Sequence, residues 1–144
     1  MKVRITVTEL SHEDLVNILS TALYGCDYLV VDYDEETWTK IPEDKKEGYC
    51  YEDHLADILL NGHYLAATDC YAEGQVYGLR KHPMPAVVDE EGKVTYCLAL
   101  QDFLWACNSE RGYKLLTEVL SGEGDYFTAN SLLQIAMFGE EIYG

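Results

Sequence analysis

Three stretches of this chain follow one plan, and that plan limits its possible folds more than any other feature. LVNILSTALYG-CDYLVV, HLADILLNG-HYLAAT and SLLQIAMFG-EEIYG each run from an apolar helical segment into a glycine. Within two residues each then enters an aromatic and aliphatic segment. Glycine adopts the left-handed conformation at a helix C-terminus without steric cost, so the chain can reverse and lay a strand beside the helix it leaves. Helices and strands must therefore interleave. The spacing of the copies is irregular, which excludes a solenoid. The last copy, Thr128 to Gly144, is expected to close the core, with Thr128 as its N-cap.

In chain order, Lys2 to Glu9 alternates apolar and polar residues and predicts a half-buried strand. Ser11 is an N-cap signal, with Glu13 and Asp14 in a first turn where the helix dipole favours carboxylates. Leu15, Ile18, Leu19, Ala22 and Leu23 share the apolar face, and Gly25 ends the helix. A strand is expected over Tyr28 to Tyr33. Asp34 to Glu36 reads as an acidic turn, with Thr37 to Ile41 returning as a hairpin partner and Pro42 to Gly48 as a charged loop. Glu52 or Asp53 opens a second helix, stopped by Gly62, and His63 to Thr68 is the next strand. Ala72 to Gly74 predicts a turn and Val76 to Lys81 a strand, broken by His82-Pro83-Met84-Pro85. Asp89 to Gly92 predicts a hairpin turn between Ala86–Val88 and Val94–Leu98. A helix over Gln101 to Cys107 is interrupted near Asn108 to Gly112, and Tyr113 to Leu120 resumes it or forms a fourth, closed by Ser121-Gly122. The hairpin signals favour an α+β domain, residues 1–144, with an antiparallel or mixed sheet of four to six strands. Three to four helices would cover mainly one side of it.

The 144 residues suffice to bury roughly two thirds of the unfolded chain's surface. A hydrophobic fraction of 48% excludes wholesale disorder. No apolar run approaches the ~20 residues of a membrane span, and the N-terminus lacks the continuous apolar core of a signal peptide. A bacterial cytoplasmic location is the expectation. Twenty-six acidic residues stand against ten basic ones, a net charge of −16. Such a field repels phosphates and anionic membranes, and favours a basic protein, for instance one that itself holds nucleic acid. The alternative is that the acidity serves solubility. The five cysteines are scattered, without a C-x-x-C pair, as suits free, mostly buried thiols in a reducing compartment.

Candidate chemistry is sparse. Asp32, Asp34, Glu36 and Glu43 follow the first, third, fifth and twelfth positions of a calcium loop. Thr37 replaces its glycine, however, and Lys40 puts a cation at the ninth position, which argues for a solvated acidic tip. His12, His54, His63 and His82 share no metal spacing and read as lone histidines. Cys107 lacks an indicated histidine base and reads as a core thiol. No cofactor, metal or catalytic residue is expected, and the protein reads as a non-enzyme. Arg80 and Lys81, with His82, form the one basic cluster. A small-molecule binder, such as a cyclic-nucleotide sponge, would use them on phosphates with Tyr77 and other mid-chain tyrosines at an oligomer interface.

Thr21-Ala22-Leu23-Tyr24-Gly25, Leu59-Leu60-Asn61-Gly62 and the tail Gln134-Ile135-Ala136-Met137-Phe138-Gly139-Glu140-Glu141-Ile142-Tyr143-Gly144 carry a resemblance. The chain resembles a family of small acidic proteins encoded by phages and prophages, whose members end in an ALFGEIVYG-like tail. It departs from them at Met137, at Glu141 and in the 72–93 segment. The resemblance implies an accessory phage gene, a setting where inhibitors of host defence are common. The expected function is thus a non-enzymatic inhibitor of a bacterial defence system, in the manner of an anti-CRISPR protein. Asp32, Asp34, Glu35, Glu36, Asp89, Glu90 and Glu91 would face a basic, nucleic-acid-binding effector. A structural or regulatory phage protein is the blander alternative.

Overall fold

The computed structural model of the chain describes residues 6–78 and 82–144. Its first helix, α1 (His12–Leu23), starts where the sequence says it should. Ser11 Oγ accepts from Asp14 N at 3.0 Å, and Asp14 Oδ2 accepts from Ser11 N at 3.2 Å, a complete capping box. Leu15, Ile18, Leu19 and Ala22 line its buried face. Gly25, at φ +69°, then turns the chain into β1 (Leu29–Asp32). A short helix α2 (Glu35–Thr39) and a 3-10 turn over Glu43–Lys45 lead to α3 (Tyr51–Leu60). Gly62, at φ +80°, makes the same reversal into β2 (Leu65–Asp69). β3 (Val87–Val88) and β4 (Val94–Leu98) form the expected hairpin. α4 (Leu100–Asn108), α5 (Glu110–Leu120) and α6 (Tyr126–Phe138) complete the fold.

The strands lie in the order β1-β2-β4-β3, every neighbouring pair antiparallel. Leu29, Val31, Leu65, Ala67, Val94, Tyr96 and Leu98 point into the core, while Val30, Asp32 and Ala66 are exposed. The helices thus cover one face of the sheet and leave the other open. α6 is the central helix: every residue from Ala129 to Phe138 except Ser131 is buried, as expected of a helix apolar all round. It packs against α1, α4, α5 and β4.

This is the α+β architecture read from the sequence, with four antiparallel strands and six helices among the described residues. The helices outnumber the three to four expected because α2 replaces an expected hairpin strand and Tyr113 to Leu120 belongs to a separate helix, the second of the two alternatives. Thr37–Ile41 is no hairpin partner. Asp34 accepts from Glu36 N at 3.3 Å and Thr37 Oγ1 at 2.8 Å, capping α2 in its place. The break between α4 and α5 shrinks to Ser109, because Gly112 lets the α5 backbone close on α4; a Cβ there would stand 1.8 Å from Ala106 O.

Other boundaries moved as well. The described part of the first segment, Thr6 to Glu9, is not strand; Val7 instead exchanges backbone hydrogen bonds with the Asn108 side chain at 2.7 and 2.8 Å. Val76 to Gly78 is also irregular, and the remainder of that expected strand lies outside the described residues. Thr128 is not the cap of α6. Asp125 is, and it accepts from Thr128 N at 3.0 Å. After Gly139, at φ +88°, the chain forms no strand but turns back along α6.

Gly62→Ala isolates the conformational term, because an added Cβ would meet nothing within 4 Å. Urea unfolding should show a loss of about 1 kcal/mol from the left-handed backbone alone. Gly78→Ala, with equal space and no positive φ, should lose less than half of that.

Candidate interaction surface

Asp32 is the last residue of β1, on the open side of the sheet. Its Oδ1 accepts from Tyr33 N at 2.8 Å and from Tyr51 Oη at 3.1 Å. Asp34 caps α2, whose first turn exposes Glu35 and Glu36. Between Asp32 and Asp57 the sequence holds ten carboxylates against three lysines. Folding gathers this stretch into one corner, because α2 packs on α3. Trp38 of α2 stacks on His54 of α3 at 3.9 Å, and Lys46 Nζ lies 3.8 Å over the indole, a cation–π contact. Tyr33 Oη and His54 Nδ1 share a 2.8 Å hydrogen bond.

The inner carboxylates of this corner gather around one histidine ring. His12 Nε2 lies 3.4 Å from Asp57 Oδ1 and 3.6 Å from Asp53 Oδ1, while Nδ1 is 3.4 Å from Glu47 Oε2. Glu47 N also donates to both Asp57 oxygens, at 3.2 and 3.3 Å. Asp57 is only 2% exposed. Burial pushes its carboxyl above the usual range, opposed by the Glu47 N–H and the His12 ring. Lys40 meets Glu36 at 3.3 Å in an exposed pair of little energetic weight. The outer side is a different matter, since Glu35, Glu43 and Asp44 are exposed carboxylates, with Lys46 Nζ beside Glu43 at 3.5 Å.

The second acidic group sits elsewhere. Asp89 Oδ1 accepts from Glu91 N and Lys93 N, both at 2.9 Å, and so builds the β3–β4 turn. Glu90 and Glu91 are exposed at its tip. In the sheet register Asp32 aligns with Ala66 and Cys97, whereas Val94, next to the turn, aligns with Asp69 and Leu29. The two groups therefore occupy diagonal corners, separated by about 14 Å across the strands and about 10 Å along them. They are two patches, not one.

The remaining candidates separate clearly. Arg80 and Lys81 lie outside the described residues. Tyr77 packs edge-on to Phe138 at 5.4 Å, and its backbone N–H donates to Tyr96 Oη at 3.0 Å. A groove of about 320 Å³ is lined by Ser20, Thr21, Tyr24 and Tyr126. Another of about 250 Å³ lies between the end of α3 and the start of α4. Tyr77 lines neither. The histidines are less solitary than their spacing implied: besides His12 and His54, His82 Nε2 donates to Met137 O at 2.5 Å and Nδ1 faces Asp102 Oδ1 at 3.2 Å. No group among the described residues could hold a metal ion. All five thiols are free, but only Cys107 is fully buried and Cys50 is exposed. Burial pushes the Cys107 thiol up to about 12, the reverse of what a nucleophile needs.

One buried polar grouping escaped the sequence reading. Asn130 and Gln134, one turn apart on α6, are buried amides. Gln134 Oε1 accepts from Ile142 N and Tyr143 N, both at 2.8 Å, and Gln134 Nε2 donates to Asn130 Oδ1 and Tyr143 O. Tyr143 Oη then donates to both oxygens of the fully buried Asp69, at 2.9 and 2.8 Å. The available signal was two amides spaced i, i+4 on an otherwise apolar helix, since buried amides must find partners.

No protein-family model, curated protein or solved structure matches the chain. No helix among the described residues is long and apolar enough to cross a membrane.

Two measurements check these assignments. Thiol labelling of the native protein should modify Cys50 rapidly and Cys107 only after unfolding. For Asp57, the unfolded carboxyl titrates near ~3.9 and the folded one lies higher. The protonated form therefore favours the fold, and that contribution is lost as pH rises through the folded value. Asp57→Asn keeps an acceptor for Glu47 N without the charge. Its urea midpoint should gain on the native protein's between about pH 4 and pH 7.

Proposed function

We propose that the protein is a non-enzymatic binding protein that docks its acidic corner on a basic surface of a bacterial host protein. In this reading it is a phage or prophage product that inhibits a defence system in the manner of an anti-CRISPR protein. Its target is an effector whose basic surface normally holds nucleic acid. The observation that carries the reading is the division within residues 32–57. The inward carboxylates Asp53 and Asp57 are held by backbone N–H groups beside the His12 ring, while Glu35, Glu43 and Asp44 face solvent. A patch of this kind resembles a polyanion in charge and competes for the same lysines and arginines. Long-range attraction speeds the encounter and like-charge repulsion rejects other partners. The hairpin tip at Glu90 and Glu91 adds a second contact at the far corner, so the partner must carry two cationic regions.

The test starts with a partner captured from host lysate and identified by mass spectrometry, then purified for titration. Asp34 and Asp89 are left intact because they hold local structure. Glu35→Gln, Glu43→Gln, Glu90→Gln and Glu91→Gln combined should weaken binding by at least about tenfold, equivalent to ~1.4 kcal/mol. The salt dependence should flatten alongside. Unchanged affinity and unchanged salt slope would remove the reading.

A further inference from the structure

The open face of the sheet has features that charge alone does not explain. Two rows of side chains cross it. One is Val30, Thr68, Thr95 and Val87; the other is Asp32, Ala66 and Cys97. Val30 is 47% and Val87 65% exposed. Thr68 Oγ1 and Thr95 Oγ1 hydrogen-bond each other at 2.8 Å, so the hydroxyls in the middle of the first row already have partners. What this row offers a neighbour is mainly methyl groups. Tyr64, just before β2, also lines the 250 Å³ groove between α3 and α4.

The sheet's edges are less accessible than its face. Tyr28 O accepts from Cys70 N, and alternation along the ladder then turns the Val31 carbonyl toward the free side of β1. Tyr51 Oη donates to that carbonyl, and Asp32 takes the neighbouring Tyr33 N–H. An incoming strand would find the edge at Val31 and Tyr33 occupied. At the opposite edge, β3 is two residues long.

We infer that this open face is the centre of the docking surface, taking a basic partner that presents apolar side chains between two cationic clusters. The inference rests on the proposed function and specifies its geometry. Three strand spacings and five residues of length make an area of about 250 Å². A stable interface needs about 800 Å² from each side. The face alone is too small, and the acidic corners at its two diagonal ends supply the remainder as a polar rim around an apolar centre. A second copy of this chain does not fit, because each copy carries −16 and would bring acid against acid at both corners.

Isothermal titration with two equally charged peptides separates the two claims. One is an oligolysine; the other alternates lysine with valine. The lysine–valine peptide should bind the native protein about tenfold more tightly. The double variant Val30→Thr, Val87→Thr keeps shape and strand propensity. It should abolish most of that gain while leaving oligolysine binding unchanged, with an unaltered circular dichroism melt confirming the fold. Equal binding of the two peptides, or a gain that survives the double substitution, overturns the inference. If binding of both peptides also ignores Glu35→Gln and Glu43→Gln, the acidic docking reading fails with it.

Discussion

The fold depends on burying α6, and α6 can be buried because two of its polar side chains are fully employed. Asn130 and Gln134 lie among apolar residues of a helix enclosed by α1, α4, α5 and the sheet. An unpaired amide there would cost about 1–3 kcal/mol. Asn130 instead donates to Ala22 O at 3.0 Å and accepts from Tyr28 Oη at 2.6 Å, tying α6 to α1 and to the start of β1. Gln134 holds the C-terminal tail, and through Tyr143 the tail reaches Asp69 at the end of β2. One helix thus links the first, middle and last parts of the chain.

A chain with this excess of acid must place its carboxylates somewhere harmless, and much of the answer is at helix starts. Asp14, Asp34, Asp53, Asp102 and Asp125 each accept a backbone N–H at the beginning of a helix. There the unsatisfied N–H groups and the helix dipole favour negative charge. Asp89 performs a similar service in the hairpin turn. The acids named from the sequence therefore divide by task. Asp34 and Asp89 build local structure, Asp32 anchors Tyr51, and Glu35, Glu36, Glu90 and Glu91 face outward. That division has a functional meaning, because a carboxylate already bonded to backbone has less to offer a partner.

Elements with both a start signal and a stop signal were legible. Ser11 with Gly25, the glycine after α3, and the Asp89–Gly92 turn all define local geometry through short-range sterics and hydrogen bonds. The errors fell where two local signals compete. Thr37 to Ile41 has β-branched and aromatic residues, yet the Asp34 cap and the Trp38–His54 stack make α2. Thr128 has the right chemistry for a cap, but Asp125 stands three residues earlier and takes that role. The repeated glycine device worked in all three places, although only the first two led to strands.

The sequence by itself determined the turn points, the helix caps, the apolar faces and the sign of the protein's field, because each depends on neighbours along the chain. Tertiary structure alone decided which charges meet. It set Asp32 and the β3–β4 turn at diagonal corners through strand order, and it brought His12 to Asp53 and Asp57 across α1 and α3. It also left one sheet face uncovered. These relations depend on strand pairing and helix packing between residues far apart in sequence, where no local pattern records the partner.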